Sequence, residues 1–155
     1  MSEPKSLQDL PANTGFDPVG AVALMTRHGH GGWLGLAYHA HGTGWMELAL
    51  PWREDLVGET ASGVFASGPI ISLMDNATSM SVWTLTGQFV PHATLDLRVD
   101  YMRSAVPGRT LIGRGECYKL TRTIAFIRGF AHDGDPADPI AHVAGTFMAT
   151  HGAYR

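Results

Sequence analysis

Apolar and polar positions along this chain fall into two periods, and the change between them divides the molecule. From Pro69 to Thr86 the sequence reads PIISLMDNATSMSVWTLT. Stepped at about 100° per residue, Ser72, Asp75, Asn76 and Ser79 fall on one stripe of a helix, while Ile70, Ile71, Leu73, Met74, Ala77, Met80, Val82 and Leu85 cover most of the remaining surface. A helix apolar over so much of its cylinder belongs inside a protein. Beyond it the period drops to two. Leu95, Leu97, Val99 and Tyr101 alternate with Thr94, Asp96, Arg98 and Asp100, the pattern of a half-buried strand. Further strands are predicted near Thr110 to Leu120, Arg122 to His132 and Ile140 to Thr150, separated by the LTR turn and the polar loop DGDPADP.

Upstream of the long helix, PVGAVALMTR from Pro18 to Arg27 predicts a short helix with Asp17 as N-cap and Pro18 at the first helical position. Trp33 to His41 and Gly44 to Leu50 read as two strands around the HGTG turn, followed by an irregular or briefly helical PWREDLVG. Gly58 to Gly68 reads as a small-residue loop delivering the chain to Pro69, a residue suited to a helix start because its missing N–H would be unsatisfied there anyway. Short connections between the later strands imply antiparallel neighbours, since a parallel pair needs a crossover of a dozen or more residues. Gly113, Gly115, Gly129 and Gly145 interrupt those strands. Glycine in a strand marks a bend or the close approach of another element, so these positions predict a sheet curving tightly around the apolar helix. The expected architecture is α+β: two strands, a buried helix, then four strands, forming one curved antiparallel sheet wrapped on a central helix. Residues 1–32 read as an N-terminal extension with a short helix, and 33–155 as the sheet-and-helix domain.

Length and composition narrow the field. The 155 residues suit one domain with a proper core, and 45% hydrophobic with 16% charged residues is ordinary for a globular protein. The formal charge of −3, with no Lys/Arg stripe, argues against a nucleic-acid partner. The single cysteine, Cys117, excludes an internal disulfide and a cysteine-based zinc cluster, and is compatible with a reducing cytoplasm. MSEPKSLQDLPANTG has no apolar h-region, and Ser, Thr, Asn and Asp interrupt the long helix too often for a membrane span. A soluble, untargeted, cytoplasmic protein with a frayed start and no membrane partner is the expectation.

Candidate chemistry centres on Asp75, the one Asp, Glu, Lys or Arg side chain between Glu59 and Asp96. Burying an unpaired carboxylate is costly, so such a group is partnered, neutral or functional, unless its stripe faces water or caps a subunit contact. His28 with His30 and His39 with His41 are spaced to share a strand face, but they lie among glycines without a nearby acid or cysteine, and no metal site is expected. Met74, Met80 and Trp83 at helical spacing read as core or as the lining of an apolar pocket.

The order of elements and two local stretches, ASGVFASGPIISLMDNATSM and ATLDLRVDYMRSAVPG, together with the final strand GTFMAT, resemble the hotdog fold. Within it they resemble the PaaI-like acyl-CoA thioesterases of the 4-hydroxybenzoyl-CoA thioesterase superfamily, over about Leu34 to Thr150. The resemblance implies hydrolysis of an acyl-CoA thioester to free acid and CoA, with no cofactor beyond the coenzyme A of the substrate. It also implies self-association as a homodimer or dimer of dimers. The family carries His-Gly-Gly at the entrance to the central helix and an Asn a few residues earlier; here Ala66 fills the His position, Ser67 and Gly68 the glycines, and Thr60 the Asn position. The helix acid is retained as Asp75, and Thr94 matches the hydroxyl residue that positions water.

Under this resemblance Asp75 serves as general base on water or as direct nucleophile. Free N–H groups at the helix start, from Ser67, Gly68 or Ile70, polarise the carbonyl, the resemblance placing the main amide at Ser67 of a neighbouring subunit. Thr94 orients water, and Asn76 or Ser72 steers the carboxylate unless these are packing residues satisfied by backbone. Thr60 replaces the missing Asn as a donor. His92 reads as a loop histidine after a proline, or as an imidazole returned to the site. Among Arg98, Arg103, Arg109 and Arg122, the resemblance places Arg103 nearest the ligand entrance, as a contact for the phosphates of coenzyme A. Two rivals remain: a non-catalytic acyl-CoA or lipid-binding hotdog protein, and a hotdog hydratase or dehydratase, which pairs a His with its carboxylate.

Overall fold

The computed structural model describes residues 15–154, so the reading of the first fourteen residues lies outside it. Helix α1 (Pro18–Met25) is capped by Asp17, whose Oδ1 accepts from the Val19 N–H at 3.1 Å. A second helix, α2 (Gly29–Leu34), follows, then β1 (Ala37–Gly42), β2 (Trp45–Leu50) and a 3₁₀ turn at Glu54–Leu56. Next come β3 (Val57–Glu59), β4 (Val64–Phe65), the central helix α3 (Ser67–Thr86), and β5 (His92–Tyr101), β6 (Leu111–Leu120), β7 (Ile124–His132) and β8 (Ala141–Ala149).

Two expectations are corrected. Trp33 and Leu34 are helical, and the first strand starts only at Ala37. The glycine-rich GHGGWLG has little preference of its own, and tertiary contacts decide it: Gly35 ends the helix at φ 72°, and Arg53 Nη1 donates to the Trp33 carbonyl at 2.7 Å. The small-residue stretch from Gly58 to Gly68 is no simple loop either. Val57 pairs with Phe65 and Glu59 with Val64, forming a small hairpin that Trp52 pins by donating from Nε1 to the Gly63 carbonyl at 2.9 Å.

The main sheet has six strands in the order β1-β2-β6-β7-β8-β5, every neighbour antiparallel. It curves around α3, whose Leu73, Met74, Ala77 and Met80 are wholly buried against it. The strand glycines mark the contact. A Cβ at Gly115 would stand 2.5 Å from the backbone of Ala77 and Thr78, and one at Gly113 would stand 2.7 Å from Leu73 Cγ. The fold is thus α+β, a hotdog-type sheet wrapped on a central helix. Among the described residues, no helix is long and apolar enough to cross a membrane.

Candidate active site

The central helix begins at Ser67, two residues before Pro69, with Ala66 as N-cap. Ala66 spends its own N–H on the Leu56 carbonyl at 2.9 Å and has no side chain that can cap. In a helix starting there the Ile70 N–H is bonded to the Ala66 carbonyl, and Pro69 has no N–H to give. Ser67 and Gly68, both exposed, are left as the donors at the positive end of the helix dipole. Beside them a cavity of about 380 Å³ lies between β4, the first turn of α3 and the end of β5, lined among others by Phe65, Ser67, Ile70, Tyr101 and Arg103. Tyr101 Oη donates to the Ser67 carbonyl at 3.4 Å.

Arg103 builds the wall of that cavity. Its guanidinium is committed to Asp133, at 3.0 and 2.7 Å, and to the side chain and carbonyl of Asp138. Asp133 is buried and also accepts from the Val106 N–H at 2.7 Å, and the Arg103 hydrogen bonds draw its pKa down to about 2. The same pair holds Arg103 above its ordinary value, through the Asp133 hydrogen bond first. Of the other arginines, Arg98 pairs with Asp100, while Arg109 and Arg122 are exposed.

Further along α3 the polar stripe meets partners from other elements. Thr94 Oγ1 donates to Asp75 Oδ1 at 2.8 Å. Ser72 Oγ lies 3.0 Å from His30 Nε2, and Ser79 Oγ 2.7 Å from His92 Nε2. Hydroxyls off the stripe behave differently: Thr78, Ser81 and Thr84 donate back to helix carbonyls at 2.7, 2.6 and 2.8 Å. Asn76 likewise donates along the helix, from Nδ2 to the Ser72 carbonyl at 2.8 Å. Met74, Met80 and Trp83 are core residues.

The contact between Thr94 and Asp75 depends on a bulge. Thr94 pairs with Phe147 and Asp96 with the adjacent Thr146, so Leu95 is an extra residue, 53% exposed. A one-residue bulge reverses which face each side chain takes. Leu97 and Val99 pack into the core as the alternation requires, whereas Thr94 and His92, on the other side of the bulge, are turned inward as well. His92 is accordingly the first residue of β5 and not a loop histidine. Its ring stacks on Trp83 at 4.9 Å and packs on Phe147 at 4.7 Å, and burial pushes its pKa down to about 4.

The remaining candidates stand apart from Asp75. Thr60 is exposed in the turn between β3 and β4. His39 lies 3.9 Å from Glu47, and His41 Nδ1 lies 2.9 Å from Tyr38 Oη. Among the described residues no three His, Cys, Asp or Glu side chains are grouped to hold a metal ion. Sequence reasoning missed the pairings of His30 and His92 with the stripe serines. Both histidines were visible, but neither α2 nor the bulge that aims His92 has a pattern of its own.

The model of the thioesterase superfamily matches residues 63–140, half of the chain, and spans the helix entrance, Asp75 and Thr94. The chain belongs to the thioesterase superfamily. A Pseudomonas aeruginosa protein of known structure is 42% identical over 74% of this chain and 85% of its own, with a TM-score of 0.68. Two more distant members of the structural group share the fold: the E. coli PaaI protein from the phenylacetic acid degradation operon (14% identity, 79% and 84% covered, TM-score 0.67) and a Streptococcus mutans protein solved with acetyl CoA (18%, 77% and 91%, TM-score 0.66). No curated protein matches the chain. The PaaI-like resemblance therefore holds at the level of superfamily and fold.

Proposed function

We propose that this thioesterase-superfamily protein hydrolyses an acyl-CoA thioester to the free acid and CoA, with Asp75 as base on water or as nucleophile. The observation that carries the reading is the Thr94–Asp75 pair at 2.8 Å, on a helix whose first turn presents unpaired amides. Thr94 fixes one carboxylate oxygen and leaves the other for water or for the carbonyl carbon. Donors aimed at the developing oxyanion are worth about 10²–10³ in rate. Ser67 or Gly68 supplies them.

These two halves belong to different subunits in this reading. Ser67 and Asp75 are eight residues apart on one helix, about 12 Å along its axis, too far to grip one carbonyl together. A second copy supplies the missing half. β5 is a ten-residue edge strand, and Leu95, Tyr101, Met102 and Ile71 around it are 53, 48, 61 and 40% exposed, a long unprotected edge of the kind that takes a partner. The homodimer, singly or as a dimer of dimers, is thus part of the proposal, as is a cytoplasmic setting where acyl-CoA is available.

Departures from the family pattern fit a modified grip. Ala66 at the helix entrance brings no imidazole, Thr60 stands in the Asn position on an exposed turn, Asn76 shapes the helix stripe, and Arg103 shapes the cavity wall through Asp133. A non-catalytic acyl-CoA-binding role is the rival that Ala66 favours. A hydratase would need a histidine on the carboxylate, and His92 gives its Nε2 to Ser79. The test is release of free thiol from a panel of acyl-CoA esters by the wild type and Asp75→Asn. Turnover that falls about 10²-fold or more in the variant supports the reading. Tight binding without turnover supports the rival, and full activity in Asp75→Asn removes Asp75 from the chemistry.

A further inference from the structure

The bulge at Leu95 raises a question that the site alone does not answer: what keeps Thr94 facing the helix. A bulged edge strand has one neighbour only, here β8, and the extra residue is unpaired, so a slip of one residue would restore regular pairing and turn Thr94 outward. Downstream, Leu97 and Val99 hold the strand by packing into the core. Upstream, the first inward side chain is His92, hydrogen-bonded to Ser79 of the helix; the other side-chain hydrogen bonds from β5 to α3 are those of Thr94 itself and of Tyr101 at the far end of the strand.

Three observations give His92 that task. Its ring is clamped between Trp83 of α3 and Phe147 of β8, with Tyr154 edge-on at 5.9 Å, so its position is fixed by packing from the helix and from the adjoining strand. Ser79 does not bond back to a helix carbonyl as Thr78 and Ser81 do; its Oγ pairs instead with His92 Nε2 at 2.7 Å. Nδ1 is buried and without a partner, which a bare acceptor lone pair tolerates better than an N–H, so the ring proton sits on Nε2 and is donated to Ser79 Oγ. Burial keeps the ring neutral, which preserves that single tautomer.

We propose that His92 is a positioning residue for the active site: by donating from Nε2 to Ser79 it pins the start of β5 to α3 in the register that brings Thr94 onto Asp75. This rests on the thioesterase reading only for its kinetic consequence. The structural consequence stands without it.

The test uses His92→Phe, which keeps the aromatic packing and loses the donor, and His92→Gln, whose amide can restore a donor near the position of Nε2. Crystal structures read the distance from Thr94 Oγ1 to Asp75 Oδ1, and steady-state kinetics read kcat and KM on whichever acyl-CoA the wild type turns over. The expected result is a Thr94–Asp75 contact opened beyond hydrogen-bonding distance in His92→Phe, kcat lowered about tenfold with KM unchanged, and both restored in His92→Gln. In a Thr94→Val background the His92→Phe change should lower kcat no further. If His92→Phe does not fold, Ser79→Ala breaks the same link from the helix side and should give the same opened contact. A Thr94–Asp75 contact that persists in these variants, or an opened contact with kcat unchanged, overturns the proposal. A wild type without turnover on any thioester sinks the functional reading instead, and the crystallographic distance still decides the role of His92.

Discussion

Asp75 stands alone as a charge within an apolar run, and that isolation made it legible from sequence. Its neighbour was less so. Alternation assigns Thr94 to the outward face together with Asp96, Arg98 and Asp100, yet a water-positioning role demands that it face the helix, and the two readings conflict until the bulge at Leu95 reverses the parity between them. Such a conflict between pattern and role is itself a sequence-level hint of a bulge. Thr94→Val, which keeps the shape and removes the donor, should lower kcat about tenfold or more while leaving the unfolding free energy from urea denaturation within about 0.5 kcal/mol of wild type. His92 carries a pH dependence of stability. Its folded-state pKa is depressed to about 4 against roughly 6.5 in an unfolded chain, so between those values only the unfolded chain binds the proton. Stability is then full above about pH 6.5 and declines as the pH falls toward 4, by on the order of 3 kcal/mol for this group. Denaturation midpoints measured from pH 7.5 to 4.5 should show this slope in the wild type and lose most of it in His92→Gln. An equal slope in both would assign the acid sensitivity to other groups.

At the scale of elements, long periodic segments were readable because their burial has one direction: α3 and β5 to β8 lie within a few residues of where the pattern put them. What the pattern could not reach was held by contacts distant in sequence. Helix α2 forms from glycine-rich chain with Arg53 satisfying its Trp33 carbonyl, and the β3–β4 hairpin is pinned by Trp52. The strand glycines were readable in their consequence. Gly115 has helix backbone directly beneath it, and backbone cannot rotate away as a side chain can. Gly115→Ala should therefore destabilise by about 2–3 kcal/mol, as overpacking does, visible as a lower urea midpoint at unchanged m-value. A neutral Gly115→Ala would mean that the sheet can lift from α3 freely, against the close packing described for this pair.

At the scale of the whole molecule, the groups of the proposed site lie in two places. The carboxylate and its threonine lie midway along α3, the free amides lie at its start beside the cavity, and about 12 Å of helix separates them within one chain. Sequence resemblance pointed to a shared site, but composition and pattern could not, because an interface between copies leaves no period in a single chain; in the proposed dimer, exposed Leu95, Tyr101 and Met102 along the unpaired edge are the surface that would take the second copy. Sedimentation should find a dimer or tetramer, not a monomer. The most direct test is complementation between subunits. Asp75→Asn keeps the helix entrance, and Ser67→Pro keeps Asp75 while removing the Ser67 amide N–H at a helix position that tolerates proline. Each variant alone should be nearly inactive on the acyl-CoA substrate. Unfolded together in equal amounts and refolded, they should recover about a quarter of wild-type activity, since half of the dimers are mixed and each mixed dimer holds one intact site of two. Mixed dimers that form and recover nothing would contradict a site built from Asp75 of one subunit and the helix entrance of the other.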